Sequence, residues 1–151
     1  MTIPDSVTKI GDSAFSWCIS LKNVTIPDRV TSIGDCAFSN CESLTSVTVT
    51  ENNINYSSQD GVLFNKDKTK LIKYPEGNER TEYIIPDSVT SIGSSAFSDC
   101  SSLTNVTIPN SVTEIGENAF SECESLTIHA PVGSFAEKYA KENRIKIDLI
   151  K

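Results

Sequence analysis

The apolar residues of this chain recur every 23 residues instead of following one continuous helical or alternating pattern. Four Ile-Pro pairs mark the regular units, and they begin at Ile3, Ile26, Ile85 and Ile108. The apolar positions of one unit are Leu21, Val24, Ile26, Val30, Ile33, Ala37, Phe38 and Cys41. A fixed period of roughly 20 to 29 residues predicts a solenoid, because one such unit cannot bury its apolar face unless neighbouring units stack on it.

Within one unit the pattern changes several times. The segment 21–26, "LKNVTI", alternates like a short strand, and Pro27 then starts a turn. A second extended piece, "VTSIG", ends at Gly34. Asp35 is placed to act as an N-cap for "CAFSNC", which predicts about a turn and a half of helix.

The repeat spacing also predicts the organisation of the chain. From Glu51 to Tyr83 the repeated text is replaced by that of a longer, irregular unit. We therefore expect a single domain over 1–151, with regular repeats at 3–25, 26–48, 85–107 and 108–128, an irregular hairpin-containing repeat at 49–84 and a C-terminal cap at 129–151.

The repeated string L-x-x-V-T-I-P-x-x-V-T-x-I-G-x-x-A-F-x-x-C resembles the BspA-like, or Treponema-type, leucine-rich repeat family. A longer hairpin unit and a C-terminal cap match as well, so the resemblance spans nearly the whole chain. It implies an α/β repeat fold: a right-handed leucine-rich repeat solenoid of mostly short β-strands and short helical turns, with a parallel sheet on one face and a helical C-terminal cap. It also implies a part of a larger bacterial or protist surface protein that binds host matrix proteins or other cells, without shared catalytic residues.

The irregular unit offers one candidate binding surface. Its segments 62–64 and 69–74 read as the two strands of a hairpin around a polar turn. Four lysines and two aromatic residues give this hairpin a basic character on an acidic protein: Phe64, Lys66, Lys68, Lys70, Lys73 and Tyr74. The hairpin is interpreted either as a solvated tip or as a contact loop that protrudes from the rim of the solenoid.

The outward side of the predicted sheet is the other candidate binding surface. Its positions are small, polar and nearly uncharged: Asn23, Thr25, Ser46, Thr48, Glu82, Ile84, Asn105 and Thr107. Such a face can form hydrogen bonds with a protein or a glycan, but threonine also favours strands for purely structural reasons. A regular threonine ladder can also order water, as in ice-binding proteins, although Ile84 interrupts this row.

The two ends of the chain differ. Ser134 and Glu137 form a capping-box pattern for a helix through Glu142, and an alternating strand follows at 145–149. We expect this tail to cover the last coil. Nothing similar precedes the first coil, so we expect its edge to be open to pairing with another copy or with upstream repeats.

Composition narrows the class of partner. The chain has 13 basic and 20 acidic residues, a formal charge of −7, which argues against nucleic acid. No basic and apolar leader opens the chain, and no apolar stretch approaches the roughly 20 residues of a membrane span. We expect no membrane insertion and a secreted or cell-surface location if the chain is part of an exported parent protein.

Candidates for chemistry are few. His129 is the single histidine, and the glycines are scattered one by one, so we expect no catalytic site, no metal and no cofactor. A row of turn residues, Asp5, Asp28 and Asp87, is interpreted as turn-forming, with a calcium site as the alternative. Four of the five cysteines share one place in the repeat: Cys18, Cys41, Cys100 and Cys123. They are interpreted as buried free thiols, with Cys18–Cys41 and Cys100–Cys123 bridges left open.

The resemblance to the BspA-like family, together with these observations, implies a non-enzymatic module for protein-protein interaction or adhesion in a bacterial-type cell-surface protein. The expected partner is a host matrix or cell-surface protein, or a glycan. Structural spacer repeats that display other domains of a longer chain are the alternative, and a water-ordering threonine ladder is a minor one.

Overall fold

The computed structural model describes residues 1–151, which wind into a solenoid of about six turns. Its strands and its helix are, in chain order, β1 (Lys9–Ile10), β2 (Asn23–Ile26), β3 (Ser32–Ile33), β4 (Ser46–Val49), β5 (Tyr56–Gln59), β6 (Val62–Asn65), β7 (Lys70–Lys73), β8 (Glu82–Ile84), β9 (Ser91–Ile92), β10 (Asn105–Thr107), β11 (Glu114–Ile115), β12 (Thr127–Pro131), α1 (Phe135–Glu142) and β13 (Lys146–Ile150). The expected leucine-rich repeat solenoid is confirmed.

The strands form two faces. The front face holds a parallel pair, β2 and β4, and a parallel four-stranded sheet in the order β8-β10-β12-β13. The back face holds the parallel pair of β1 and β3 and a five-stranded sheet in the order β11-β9-β7-β6-β5. On both faces the coils stack in register, so that Val24 lies beside Val47 and Ile10 beside Ile33.

The apolar positions of the repeat fill the space between the two faces. Val24, Ile26, Val30, Leu44 and Val47 are almost completely buried, as their period requires. The core divides into a cluster of 11 buried residues in the N-terminal part and one of 21 in the C-terminal part. Strand β6 lies where the two clusters meet.

The prediction of an α-helical turn in each repeat is wrong. The segment 35–40 is a run of tight turns in which Cys36 and Asn40 have positive φ values of 57° and 58°. Alternate main-chain N–H groups of such a segment point along the solenoid axis and bond to the next coil, as from Ser13 N to Asp35 O at 3.0 Å. Asp35 is therefore no N-cap, and its own N–H donates to Asp12 Oδ1. Pairing between coils replaces pairing within a helix.

The recurring Phe and Cys positions form columns along the axis. The rings of Phe15 and Phe38 stack with centroids 5.4 Å apart, and those of Phe97 and Phe120 stack at 4.9 Å. The cysteine of one coil donates its thiol to the main-chain carbonyl of the aromatic residue in the coil before it, as from Cys41 Sγ to Phe15 O at 3.0 Å. All five cysteines are free thiols. The column explains why Cys recurs without a bridge.

Burial of three of these thiols makes the stability of the protein depend on pH in the alkaline range. Loss of solvation raises the pKa of Cys41, Cys100 and Cys123 above the ordinary value of 9.0. Above about pH 9 the unfolded chain therefore releases these protons while the folded chain keeps them, so the free energy of unfolding falls as pH rises, by at most about 1.4 kcal/mol per pH unit for each group.

We expect urea denaturation to show this fall from about pH 8 to about pH 10.5. The variant Cys100→Ala should lose less stability over that interval than the parent protein, because one of the buried thiols no longer titrates. Cys36→Ala is the matched control, since Cys36 is exposed. Equal slopes for Cys100→Ala and the parent would contradict the assignment.

The C-terminal cap is confirmed. Helix α1 begins after its N-cap Ser134, whose hydroxyl accepts from Glu137 N, and ends at Glu142, with Asn143 as its C-cap. Within the helix Ala136 and Ala140 are buried, whereas Phe135 is 40% exposed. Strand β13 then pairs with β12 over five residues, so the cap also extends the front face.

Candidate functional site

The irregular unit is built into the solenoid and does not protrude from it. The predicted hairpin of β6 and β7 is confirmed, and β5 adds an antiparallel strand that the sequence analysis missed. Strand β7 pairs in parallel with β9, so the unit continues the back face as one of its coils.

Three of the six candidate residues in the hairpin lie inside the protein. Phe64 and Tyr74 are 0% and 1% exposed, and Lys73 is buried as well. The ring of Tyr74 stacks on Phe97 at 5.2 Å. Tyr74 therefore belongs to the column of stacked Phe rings described above, which we call the aromatic column. Their assignment to a contact surface is therefore wrong, because these aromatic residues fill the core where the repeat would place its own apolar residues.

Lys73 forms an ion pair within the wall of the solenoid. Its Nζ lies 3.1 Å from Glu76 Oε1, and the two side chains are only 7% and 1% exposed. The same carboxylate oxygen accepts from Asn40 N at 3.0 Å, while Oε2 has no partner. Lys73 therefore has a structural role.

Lys66, Lys68 and Lys70 remain available on the surface of the hairpin. Lys66 and Lys70 are exposed, and Lys68 is half-buried with a φ of 55°. A contact with a partner through these three residues stays a prediction.

The front face is divided into two patches. Between β4 and β8 lies the turn at Asp60–Gly61, whose Gly61 carbonyl accepts from Val47 N at 2.9 Å. Gly61 has a φ of +82°, and a Cβ atom there would lie 3.1 Å from Ser46 Oγ, so both the turn and its close approach require glycine. Asn23, Thr25, Ser46 and Thr48 consequently form an N-terminal patch.

The remaining candidate residues lie on the four-stranded sheet, which we call the C-terminal patch. Strand register aligns two outward rows across it: Glu82, Asn105, Thr127 and Lys146, and then Ile84, Thr107, His129 and Asp148. Glu82 and Ile84 are exposed, whereas Asn105 and Thr107 are half-buried. The expected row of threonines is thus interrupted by the turn at Asp60–Gly61, by Ile84 and by His129.

Sequence reasoning missed the second half of this patch. His129 lies between two of its neighbours, with Nε2 2.8 Å from Asn105 Oδ1 and Nδ1 3.3 Å from Asp148 Oδ2. The segment "LTIHAP" repeats the alternation of "NVTIP", with Leu126 and Ile128 inward and Thr127 and His129 outward. That continuation of the pattern was the available signal.

Beside Ile84 the patch has a concave side. A cavity of about 480 Å³ is lined by Asp60, Arg80, Glu82, Tyr83 and Ile84. The Arg80 guanidinium lies 5.9 Å from the ring centroids of both Tyr74 and Tyr83, and it donates to Asp60 O. Burial raises the pKa of Tyr83, so its hydroxyl stays neutral at physiological pH. Aromatic, guanidinium and aliphatic groups thus converge at this point.

No group of three or more His, Cys, Asp or Glu side chains is placed to hold a metal ion, and Asp28 instead accepts from Thr50 Oγ1. No helix has the length and apolar character to cross a membrane. At the N-terminal coil Trp17 and Ile19 are 67% and 56% exposed, and pairing of this edge with another copy stays a prediction.

Solved structures with this architecture come from bacteria. A leucine-rich repeat protein from Eubacterium ventriosum is 30% identical, with a TM-score of 0.71 over 88% of this chain and 42% of that one. A leucine rich cell surface protein from Faecalibacterium prausnitzii is 34% identical, with a TM-score of 0.70 over 84% of this chain and 40% of that one. The leucine-rich repeat protein of T. pallidum is 27% identical, with a TM-score of 0.51 over 88% of this chain and 59% of its own.

This chain therefore spans about two fifths of the length of the first two proteins. No protein with a curated function matches the sequence. The family model described as "BspA type Leucine rich repeat region" matches six copies over residues 1–82 and 74–140. Repeat spacing, stacked fold and this match agree, and the chain belongs to the BspA-type leucine-rich repeat family.

Proposed function

We propose that this protein is a non-catalytic binding module of a bacterial cell-surface protein and that its C-terminal patch contacts a protein partner. The name of the Faecalibacterium prausnitzii protein, a leucine rich cell surface protein, supports the location. A rigid parallel sheet supports the role, because it holds its outward side chains in fixed register for a partner.

The exposure of Ile84 carries the proposal. This side chain is 73% exposed at an outward position where β2, β4 and β10 have threonine. Next to it lies the cavity formed with Arg80 and Tyr83. Exposed apolar groups beside Arg and Tyr are typical of the centre of an interface, where a few residues contribute most of the binding free energy.

Polar residues surround this centre. Glu82 lies on the same strand, and Thr107 and His129 follow in the same row as Ile84. Hydrogen-bonding groups around an apolar centre are the arrangement of a protein-binding patch, in which the polar rim provides specificity. A glycan is the less suited partner, because the centre of the patch is an aliphatic side chain.

A spacer role is the second candidate function. Its support is the length of the relatives, since this chain spans only about two fifths of the first two structures. Repeats of this kind then hold other domains away from the cell surface, and no surface of the chain binds a partner.

An array of host matrix proteins, cell-surface proteins and glycans separates these functions. We expect at least one protein to bind and the variant Ile84→Glu to weaken that binding about tenfold or more, since it places a charge at the centre of the patch. The matched control is Ile54→Glu, because Ile54 is 79% exposed in the irregular unit, outside the patch. Equal losses for both variants would remove the C-terminal patch as the contact site, and a parent protein that binds nothing on the array would favour the spacer.

A further inference from the structure

Neighbouring coils are joined by a ladder of main-chain hydrogen bonds between their turn segments, the segments equivalent to 35–40. Three alternate N–H groups of one coil donate to three carbonyls of the next. In the first coil these bonds run from Ser13, Phe15 and Trp17 to Asp35, Ala37 and Ser39, at 3.0, 2.8 and 2.9 Å. The coil at 95–99 repeats the pattern, with Phe97 N donating to Ala119 O at 2.7 Å.

The ladder is interrupted after the second coil. The equivalent donors there are the N–H groups of Cys36, Phe38 and Asn40. Asn40 N finds a substitute acceptor in Glu76 Oε1 at 3.0 Å, but Cys36 N and Phe38 N have no acceptor in the protein. Main-chain N–H groups without an acceptor in the protein need one from outside it, since an unmade hydrogen bond costs free energy.

A shortened connection explains the interruption. In the second coil four residues separate Ile33 on the back face from Phe38 in the aromatic column. In the irregular unit only two residues separate Leu71 from Tyr74, which occupy the corresponding positions. The irregular unit therefore has two residues fewer to supply the missing carbonyls.

The missing residues leave a cleft of about 330 Å³, which we call the ladder gap. It is lined by the strip 34–39 that carries the two N–H groups and by Ser94 and Ser95 of a later coil. Lys70 and Lys73 also line the ladder gap, and Asp35 is the acidic residue among its lining. Lys73 is held by Glu76, so Lys70, which is exposed, is the ammonium group free to meet a ligand.

We propose that the ladder gap binds an oxyanion, a carboxylate or sulfate group that accepts from Cys36 N, Phe38 N and Lys70 Nζ. Main-chain N–H groups beside a residue with positive φ, as at Cys36, form concave sites for anions. An ammonium group adds a charge-assisted bond. Because the unpaired groups are donors, the ligand must supply acceptors. This site lies apart from the C-terminal patch and does not rest on the proposed function.

Amide NMR on the full chain tests the proposal. Sodium sulfate and sodium acetate are each titrated against sodium chloride at equal ionic strength. We expect saturable shifts of the Cys36 and Phe38 amide protons with at least one oxyanion and none with chloride. The variant Lys70→Gln should weaken binding about threefold to tenfold, and Asp35→Asn should strengthen it by removing the repelling carboxylate.

Lys22→Gln is the matched control, because Lys22 is an exposed lysine outside the ladder gap. Alkylation of Cys36, which is exposed and lines the gap, gives a second measurement and should slow when the anion is bound. The proposal is overturned if neither oxyanion shifts these amides more than chloride does, or if Lys70→Gln and Lys22→Gln bind equally well.

The source of the oxyanion is distinguished with N-acetylglucosamine 6-sulfate. Tighter binding of this sugar than of inorganic sulfate supports the site and assigns it to a sulfated glycan. Equal or weaker binding of the sugar, with saturable binding of a free anion, supports the site and assigns it to the free ion.

Discussion

Replacing Lys73 by methionine is expected to lower the free energy of unfolding by about 3 to 5 kcal/mol. The methionine fits the space of the lysine stem, but the Glu76 carboxylate then remains buried without its counter-ion. Glu76 is 1% exposed and keeps only the N–H of Asn40 as a partner. Urea denaturation followed by circular dichroism measures the loss.

Lys70→Met is the matched control for this change. Lys70 belongs to the same strand, but its side chain is exposed, so its replacement should change stability by less than about 0.5 kcal/mol. The double variant Lys73→Met with Glu76→Gln should regain part of the loss, because the unpaired charge is gone. A Lys73→Met protein as stable as Lys70→Met would show that the pair is not buried in solution.

Phe97→Ala should destabilise the protein by a similar amount, about 3 to 5 kcal/mol. Phe97 is fully buried, and its ring stacks on Tyr74 at 5.2 Å and on Phe120 at 4.9 Å. Alanine leaves a cavity between two rings that the stacked coils hold in place, so the site cannot collapse to fill it. The measurement is again the midpoint and slope of urea denaturation.

The control for this prediction lies in the cap. Phe135→Ala removes a ring of the same size that is 40% exposed, and its cost should stay below about 1 kcal/mol. Comparable losses for Phe97→Ala and Phe135→Ala would mean that the aromatic column contributes little to stability.

Repetition made much of the fold predictable. Four copies of one pattern identify which residues face inward, and the hairpin and the capped helix carry local signals of their own. The conformation of the turn segment was not predictable in this way. Its residues have the spacing of a helical face, but hydrogen bonds to the next coil, as from Phe15 N to Ala37 O, decide the conformation. Such bonds exist only once the coils stack.

The candidate site was less predictable, because the irregular unit hides its place in the period. Tyr74 precedes Ile85 by 11 residues, the spacing that separates Phe15 from Ile26, and this interval identifies it as a core residue. By the same count Gly77 stands where the repeats have cysteine. A Cβ atom at Gly77 would lie 2.7 Å from Glu42 O, so the close approach of the two coils requires glycine.

The alternation of β6 has a consequence for how such proteins change through gene rearrangement. Val62 and Phe64 belong to the C-terminal cluster, whereas Leu63 between them belongs to the N-terminal cluster. The irregular unit is thus a shared wall and not a removable insertion. Whole regular repeats can be duplicated or lost on either side of it, but deleting the unit itself would open both halves at once.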